Sequence, residues 1–136
     1  MSRCALMTRR APLIRRWLCL LVCVVPLLVH AQVVRNFPAS ALRGEMVFGA
    51  PPAATLDGQA IQLAPGARIR DEANRLILTG QAQGLKRTVL YTTDLLGQPL
   101  LIWLLTPGET TRRWPTNAAE AQAWSFDEAT QTWTQP

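Results

Sequence analysis

Short apolar runs separated by turn residues fill residues 43–109, a pattern typical of β-strands. The Asp57-Gly58 pair between apolar flanks predicts a two-residue hairpin, because both central residues of that turn need positive φ. Pro65-Gly66 suits a type II turn, and residues 71–74 supply another turn. These turns leave strands of about four to six residues, and short coiled strands favour a barrel.

The more apolar segments predict the individual strands. The segments GEMVFG (44–49) and RLILTG (75–80) predict short strands, and KRTVLYTTD (86–94) is rich in β-branched and aromatic residues. LLIWLL (100–105) is a continuous apolar run whose length suits a central strand buried on both faces. The fold class is therefore mainly β, a small antiparallel meander of five or six strands curled into a barrel or sandwich.

The composition changes after Glu109. The stretch TTRRW is polar and predicts a linker. Asn117 and Glu120 have the spacing of a capping box, which predicts a short helix over NAAEAQAW. SFDEATQTW then predicts a small hairpin with Asp127 and Thr130 at its turn. A short C-terminal helix and a hairpin are therefore expected after the β domain.

The charged stretch RIRDE (68–72) has two interpretations. Arg68 and Arg70 alternate with apolar residues, so one face of a strand points to water, while Asp71 and Glu72 stand beside them on a turn. Exposed mixed charges usually add solubility rather than binding energy. We interpret the stretch as the solvated rim of a hairpin, with a ligand site as the alternative.

The first 31 residues have the organisation of a secretory signal peptide. Five arginines precede an apolar stretch, residues 17–29, which is shorter than the about 20 residues that a membrane span needs. Cleavage is expected near Ala31, and Met7 is an alternative start. We expect a periplasmic or secreted protein that meets a membrane only through this leader. The predicted organisation is a signal peptide (1–31), an N-terminal arm (32–42), a β domain (43–109) and a Trp-bearing tail packed on it (110–136).

Charge and residue content exclude several classes of function. Five of the 14 basic residues lie in the leader, so residues 32–136 hold nine basic and nine acidic residues. This zero net charge gives no support for nucleic-acid binding. The one histidine and all three cysteines also lie in the leader, which excludes Ser-His-Asp and Cys-His catalysis and the usual zinc sites. We predict no enzyme activity, no metal, no cofactor and no nucleic-acid partner.

The aromatic residues of the tail supply the remaining chemistry. Exposed tryptophans would anchor a protein partner or stack on sugar rings, whereas buried ones would staple the tail onto the β domain. Stapling is favoured, because a small domain without disulfides needs large apolar anchors. Trp103 lies in the apolar run and is assigned to the core. The candidate partner-binding residues are Arg112, Arg113, Trp114, Trp124 and Trp133.

Three functional hypotheses follow from these features. The first is a non-catalytic periplasmic binding or adaptor domain that contacts another envelope protein. The alternative is binding of cell-wall glycan, peptidoglycan, through the tryptophans. A small carboxylate-based hydrolase is the remaining possibility, with Asp57, Asp71, Glu72 and Asp94 as its candidate residues.

Four phrases together resemble a group of small, uncharacterised exported proteins of Gram-negative bacteria. They are FPASALRGE (37–45), LDGQ (56–59), LAPGARIRD (63–71) and IWLLTPGE (102–109). The resemblance covers most of residues 32–136 and implies a domain that stands alone in the periplasm. It implies no known activity, so it assigns no catalytic residue.

Overall fold

The computed structural model describes residues 34–136, and the predicted signal peptide lies outside them. The strands are β1 (Leu42–Phe48), β2 (Ala53–Leu56), β3 (Gln59–Gln62), β4 (Arg68–Arg70), β5 (Leu76–Ile77), β6 (Lys86–Thr93), β7 (Pro99–Leu104), β8 (Ser125–Asp127) and β9 (Thr132–Thr134). The helices are a 3₁₀ helix (Thr79–Ala82), α1 (Pro107–Thr110) and α2 (Ala118–Ala123). None of the helices in this described part is long and apolar enough to cross a membrane.

Seven strands form one sheet in the order β3-β2-β1-β6-β7-β4-β5, and β8 and β9 form a separate hairpin. The mainly β fold predicted from the sequence is confirmed. The pairing differs from a pure antiparallel meander, because β4 runs parallel to β7 with Ile69 opposite Ile102. Across residues 34–136 the sheet does not close into a barrel, which was one of the two expected architectures: β3 and β5 remain its two edges.

Both faces of the sheet are covered by apolar side chains. The strand β7 lies between β6 and β4, next to the middle of the sheet, and its alternate residues face opposite clusters; Ile102 and Leu104 are buried on one face and Trp103 is half-buried on the other, so the expected burial on both faces is confirmed in part. The first cluster consists of Met46, Phe48, Ala54, Leu63, Ile69, Ala82, Val89, Tyr91, Ile102 and Leu104. The second cluster consists of Phe37, Ala41, Leu90, Leu105, Trp114 and Trp133. Half-buried Trp103 packs against the second cluster, which joins the N-terminal segment and the tail to the sheet.

The turns expected from local chemistry are confirmed. Asp57 and Gly58 have φ values of 50° and 83°, as a two-residue hairpin turn requires. Gly66 has a φ of 77°, and the Ala67 amide donates to the Ala64 carbonyl at 3.0 Å, which closes the turn at Pro65-Gly66. Asn74 has a φ of 63° in the turn that follows β4.

The expected strand at residues 75–80 is mostly wrong. Only Leu76–Ile77 pairs with β4, and a 3₁₀ helix begins at Thr79. Gln81 ends the strand, because its side-chain oxygen accepts from the Leu78 amide at 3.0 Å and its own amide donates to the Leu78 carbonyl at 2.9 Å. Leu76 and Leu78 are therefore left exposed.

The C-terminal elements agree with the expectation in part. The helix α2 begins after Asn117, whose side chain accepts from the Glu120 amide at 2.9 Å. The Glu120 carboxylate accepts from Thr116 rather than completing the box at Asn117. The predicted hairpin is confirmed as β8 and β9. The expected linker after Glu109 is not wholly irregular, because the one-turn helix α1 extends to Thr110.

Candidate binding surface

Two of the three candidate tryptophans lie inside the protein. Trp114 keeps 5% of its exposure and Trp133 keeps 8%. The Trp114 Nε1–H donates to the Ala41 carbonyl at 2.6 Å, and the Trp114 and Trp133 ring centroids lie 6.0 Å apart in an edge-on contact. These rings attach the tail to the sheet, as the stapling interpretation requires. Their faces are not open to a sugar ring or to a partner.

The other three candidates reach the surface to different degrees. Trp124 is half-buried, with its ring centroid 6.4 Å from that of Trp133. Arg112 and Arg113 are exposed, and the Arg113 guanidinium donates to the Gln135 side chain at 2.7 Å. The structure therefore places a basic pair at the surface but puts the neighbouring Trp114 beneath it.

Arg35 is the most highly connected polar side chain of the described residues, and no sequence motif pointed to it. Its Nε donates to Glu109 Oε1 at 3.0 Å, and its Nη2 donates to Glu109 Oε2. Further bonds of 2.8 Å reach the carbonyls of Asp71 and Leu104. The Arg35 side chain is 2% exposed, so one buried guanidinium joins the N-terminal segment, the turn after β4, the end of β7 and α1.

Acid is expected to weaken the fold at Glu109. Burial raises the pKa of this carboxyl, but hydrogen bonds from Arg35 and Thr106 outweigh burial and hold the pKa below its ordinary value of 4.5. Because the folded-state pKa is the lower one, this contribution is complete above about pH 4.5 and is lost as the pH falls through the folded pKa. Thermal unfolding measured between pH 7 and pH 2 should show a falling Tm, and Glu109→Gln should flatten part of that fall. An unchanged acid profile in Glu109→Gln would contradict this role.

Three of the four candidate carboxylates of a hydrolase, Asp57, Asp71 and Asp94, accept hydrogen bonds at turns, and Glu72 is exposed. Asp57 Oδ1 accepts from the Glu45 amide at 2.8 Å, and Asp71 Oδ1 accepts from the Arg75 amide at 2.8 Å. Asp71 also forms an ion pair with the Arg75 side chain, and these contacts lower the pKa of Asp71. The described residues contain no group of three side chains suited to hold a metal ion.

The turn between β6 and β7 exposes two adjacent leucines. Leu95 is fully exposed and Leu96 keeps 82% of its exposure. The backbone around them is well defined: Asp94 Oδ1 accepts from the amides of Leu96 and Gln98, each at 2.9 Å. The Gly97 amide donates to the Asp94 carbonyl at 3.1 Å, and Gly97 has a φ of 78°. This is a type I turn followed by a left-handed glycine, a common three-residue hairpin loop.

The turn chemistry explains Asp94 and Gly97 but not the leucines. The first position of a type I turn favours aspartate, and the left-handed position favours glycine, whereas the two central positions accept most residues. Polar residues at positions 95 and 96 would build the same turn without exposing apolar surface. Leu95 and Leu96, which we call the leucine tip, therefore have no packing role in the described fold.

A cleft of about 500 Å³ is lined in part by Gln98, which follows the leucine tip by two positions. Gln62, the last residue of β3, and Thr79, which follows β5, also line it. The cleft therefore borders on both edges of the open sheet. Its lining contains prolines, alanines, glutamines and no charged side chain. An uncharged occupant fits such a lining, because a buried charge without a partner is costly.

Comparisons with protein-family models, with curated proteins and with solved structures found no match to this chain. A functional assignment must therefore come from the chemistry of its own surface.

Proposed function

We propose that this chain is an exported, non-catalytic binding domain that contacts another envelope protein through the leucine tip, Leu95 and Leu96. The leader-like residues 1–31 and the resemblance to small exported proteins support the location. The absence of histidine and cysteine after residue 31 supports binding rather than catalysis. We assign the contact to the leucine tip rather than to the tail, because Trp114 and Trp133 are buried.

The exposure of two adjacent leucines on a rigid turn is the observation that supports this proposal most directly. Burying one leucine side chain contributes about 1.5–3 kcal/mol, so the pair provides a large part of a protein contact. The turn is already ordered by Asp94, so binding loses little backbone entropy there. The leucine tip therefore offers exposed apolar surface at a small loss of conformational entropy on binding.

Serine substitutions at the leucine tip are expected to separate binding from stability. The double variant Leu95→Ser/Leu96→Ser should change the free energy of unfolding by no more than about 0.5 kcal/mol, because neither side chain packs in the fold. The same variant should no longer bind the partner protein. Urea unfolding measures the first effect, and crosslinking in the native envelope measures the second.

The crosslinking experiment compares the leucine tip with another exposed position. A photoreactive residue is placed at Leu95, at Leu96 or at the exposed control position Gln83. Discrete crosslinked species at the two tip positions and none at Gln83 would support the proposal. Equal crosslinking at all three positions, or none at the tip, would refute it.

A washed peptidoglycan pellet, assayed in parallel, tests the glycan alternative. Stacking on sugars requires an open ring face, and Trp124 is the only one of the three tail tryptophans that is not buried. Enrichment in the pellet that disappears in Trp124→Ala would favour glycan binding over a protein partner.

A further inference from the structure

The outer edge of β3 presents free backbone groups. The Leu63 amide donates to the Pro52 carbonyl at 2.8 Å, so the odd-numbered positions of this segment face β2. Because successive residues of a strand point their backbone groups to opposite sides, Ala60 and Gln62 turn their N–H and C=O groups away from the sheet. The alternation in β2 agrees with this assignment. The Asp57 amide donates to the Glu45 carbonyl of β1 at 2.8 Å, so the odd-numbered positions of this segment face β1 and the even-numbered ones face β3.

The β3 edge is only four residues long, but it lacks the charged side chains and prolines that also protect edge strands. Residues 59–62 contain no lysine, no proline and no charged residue, and the Ala60 side chain is small and exposed. At the opposite edge β5 has only two residues, and Gln81 occupies both backbone groups of Leu78 just beyond it, so Leu76 alone directs its backbone groups outward. Of the two edges, β3 is the longer one and offers two outward-facing residues rather than one.

The cleft described above extends from the end of this edge. Gln62 belongs to both the edge and the cleft, and Pro51, Pro52 and Pro65 contribute apolar walls. A chain that pairs with Ala60 and Gln62 is thereby led toward the cleft. Uncharged side chains suit the cleft better than charged ones, because its lining offers no charged partner.

We propose that the β3 edge binds an extended, uncharged peptide segment of another protein as an added strand, with the neighbouring residues of that segment held in the cleft. Backbone hydrogen bonds supply the affinity and the cleft supplies the selectivity, as in other cases of strand addition. This goes beyond the proposed function, because it names a second surface and does not require the leucine tip.

A second copy of this chain fits the edge less well than a peptide does. If two β3 edges paired antiparallel, each copy would contribute only Ala60 and Gln62 to the backbone hydrogen bonds between them. The partner's own turn at Asp57-Gly58 would then face the cleft, and its carboxylate does not suit an uncharged lining.

The test uses an array of uncharged peptides of about ten residues, with an N-methylated version of each binder, and the protein as the cell processes it. Amide NMR shifts and hydrogen exchange are recorded on binding. We expect the Ala60 and Gln62 amides to exchange freely in the unbound protein and to shift and become protected with peptide. N-methylation of the paired peptide amides should weaken binding about tenfold or more, because it removes a backbone donor.

Three variants complete the experiment. Ala60→Pro removes the outward donor at a position where an edge strand tolerates proline, and Gln62→Lys adds a charge beside the cleft without touching the backbone. Both should abolish the protection. Leu95→Ser/Leu96→Ser should leave peptide binding intact, so failure of the tip proposal and failure of this one are distinguishable.

Several outcomes would overturn the proposal. They are the absence of any binding peptide in the array, equal binding of N-methylated peptides, and shifts that avoid Ala60 and Gln62. A concentration-dependent dimer that disappears in Ala60→Pro would instead assign the edge to a second copy.

Discussion

Replacing Arg35 with alanine is expected to lower the free energy of unfolding by about 3–5 kcal/mol, because removal of one partner leaves Glu109 without its counter-charge. The carbonyls of Asp71 and Leu104 lose their donor at the same time. A domain of this size has a total stability of about 5–15 kcal/mol, so the variant should be close to unfolding at room temperature. Urea unfolding followed by circular dichroism measures the effect.

Two further substitutions make the Arg35 result specific. Arg113→Ala removes an exposed guanidinium and should change the stability by no more than about 0.5 kcal/mol. Arg35→Lys keeps the charge but cannot form the two-pronged contact with Glu109, so an intermediate loss is expected. A loss below about 1 kcal/mol in Arg35→Ala would show that the buried pair adds little to the fold.

The second large effect is expected at Trp114. Changing it to alanine should cost about 3–5 kcal/mol, because a buried ring at the centre of the second cluster is replaced by a cavity. Deletion of residues 112–136 removes both Trp114 and Trp133 and exposes Phe37, Leu90 and Leu105. The sheet is therefore not expected to remain folded without the tail.

Phenylalanine substitutions separate the hydrogen bond of the indole from its packing. Trp114→Phe loses the bond from Nε1 to Ala41, whereas the buried Nε1 of Trp133 has no partner among the described residues. Trp133→Phe should therefore be the milder change, by about 1 kcal/mol. Equal losses in the two variants would mean that the bond to Ala41 contributes nothing, and thermal unfolding of both proteins decides the point.

Local chemistry allowed the turns to be predicted from the sequence. The hairpin at Asp57-Gly58, the turn at Pro65-Gly66 and the left-handed Asn74 follow from φ preferences within four residues. The segments 86–94 and 100–105 became strands because their side chains suit a pleated, buried surface. The strand expected at residues 75–80 failed because Gln81 binds the backbone of Leu78 and ends the pairing.

The candidate sites depend on contacts between distant parts of the chain, which local patterns do not specify. Arg35 and Glu109 are 74 positions apart, and although Glu109 stands in a capping box with Thr106, no local pattern points to Arg35. The exposure of Trp114, Leu95 and Leu96 likewise depends on what packs against each of them, so the sequence could favour burial of the tail tryptophans over partner binding but could not decide it.

The sequence by itself determined the mainly β class, the position of the turns and the absence of histidine and cysteine after residue 31, because each depends on residue type and short-range geometry. Only the tertiary structure decided that β4 joins β7 in parallel, that β3 remains an open edge and that Trp114 and Trp133 are buried. Strand order and burial result from long-range packing, in which many pairings of similar local quality compete. The pairing that buries the most apolar surface around Ile69 and Trp114 is expected to prevail.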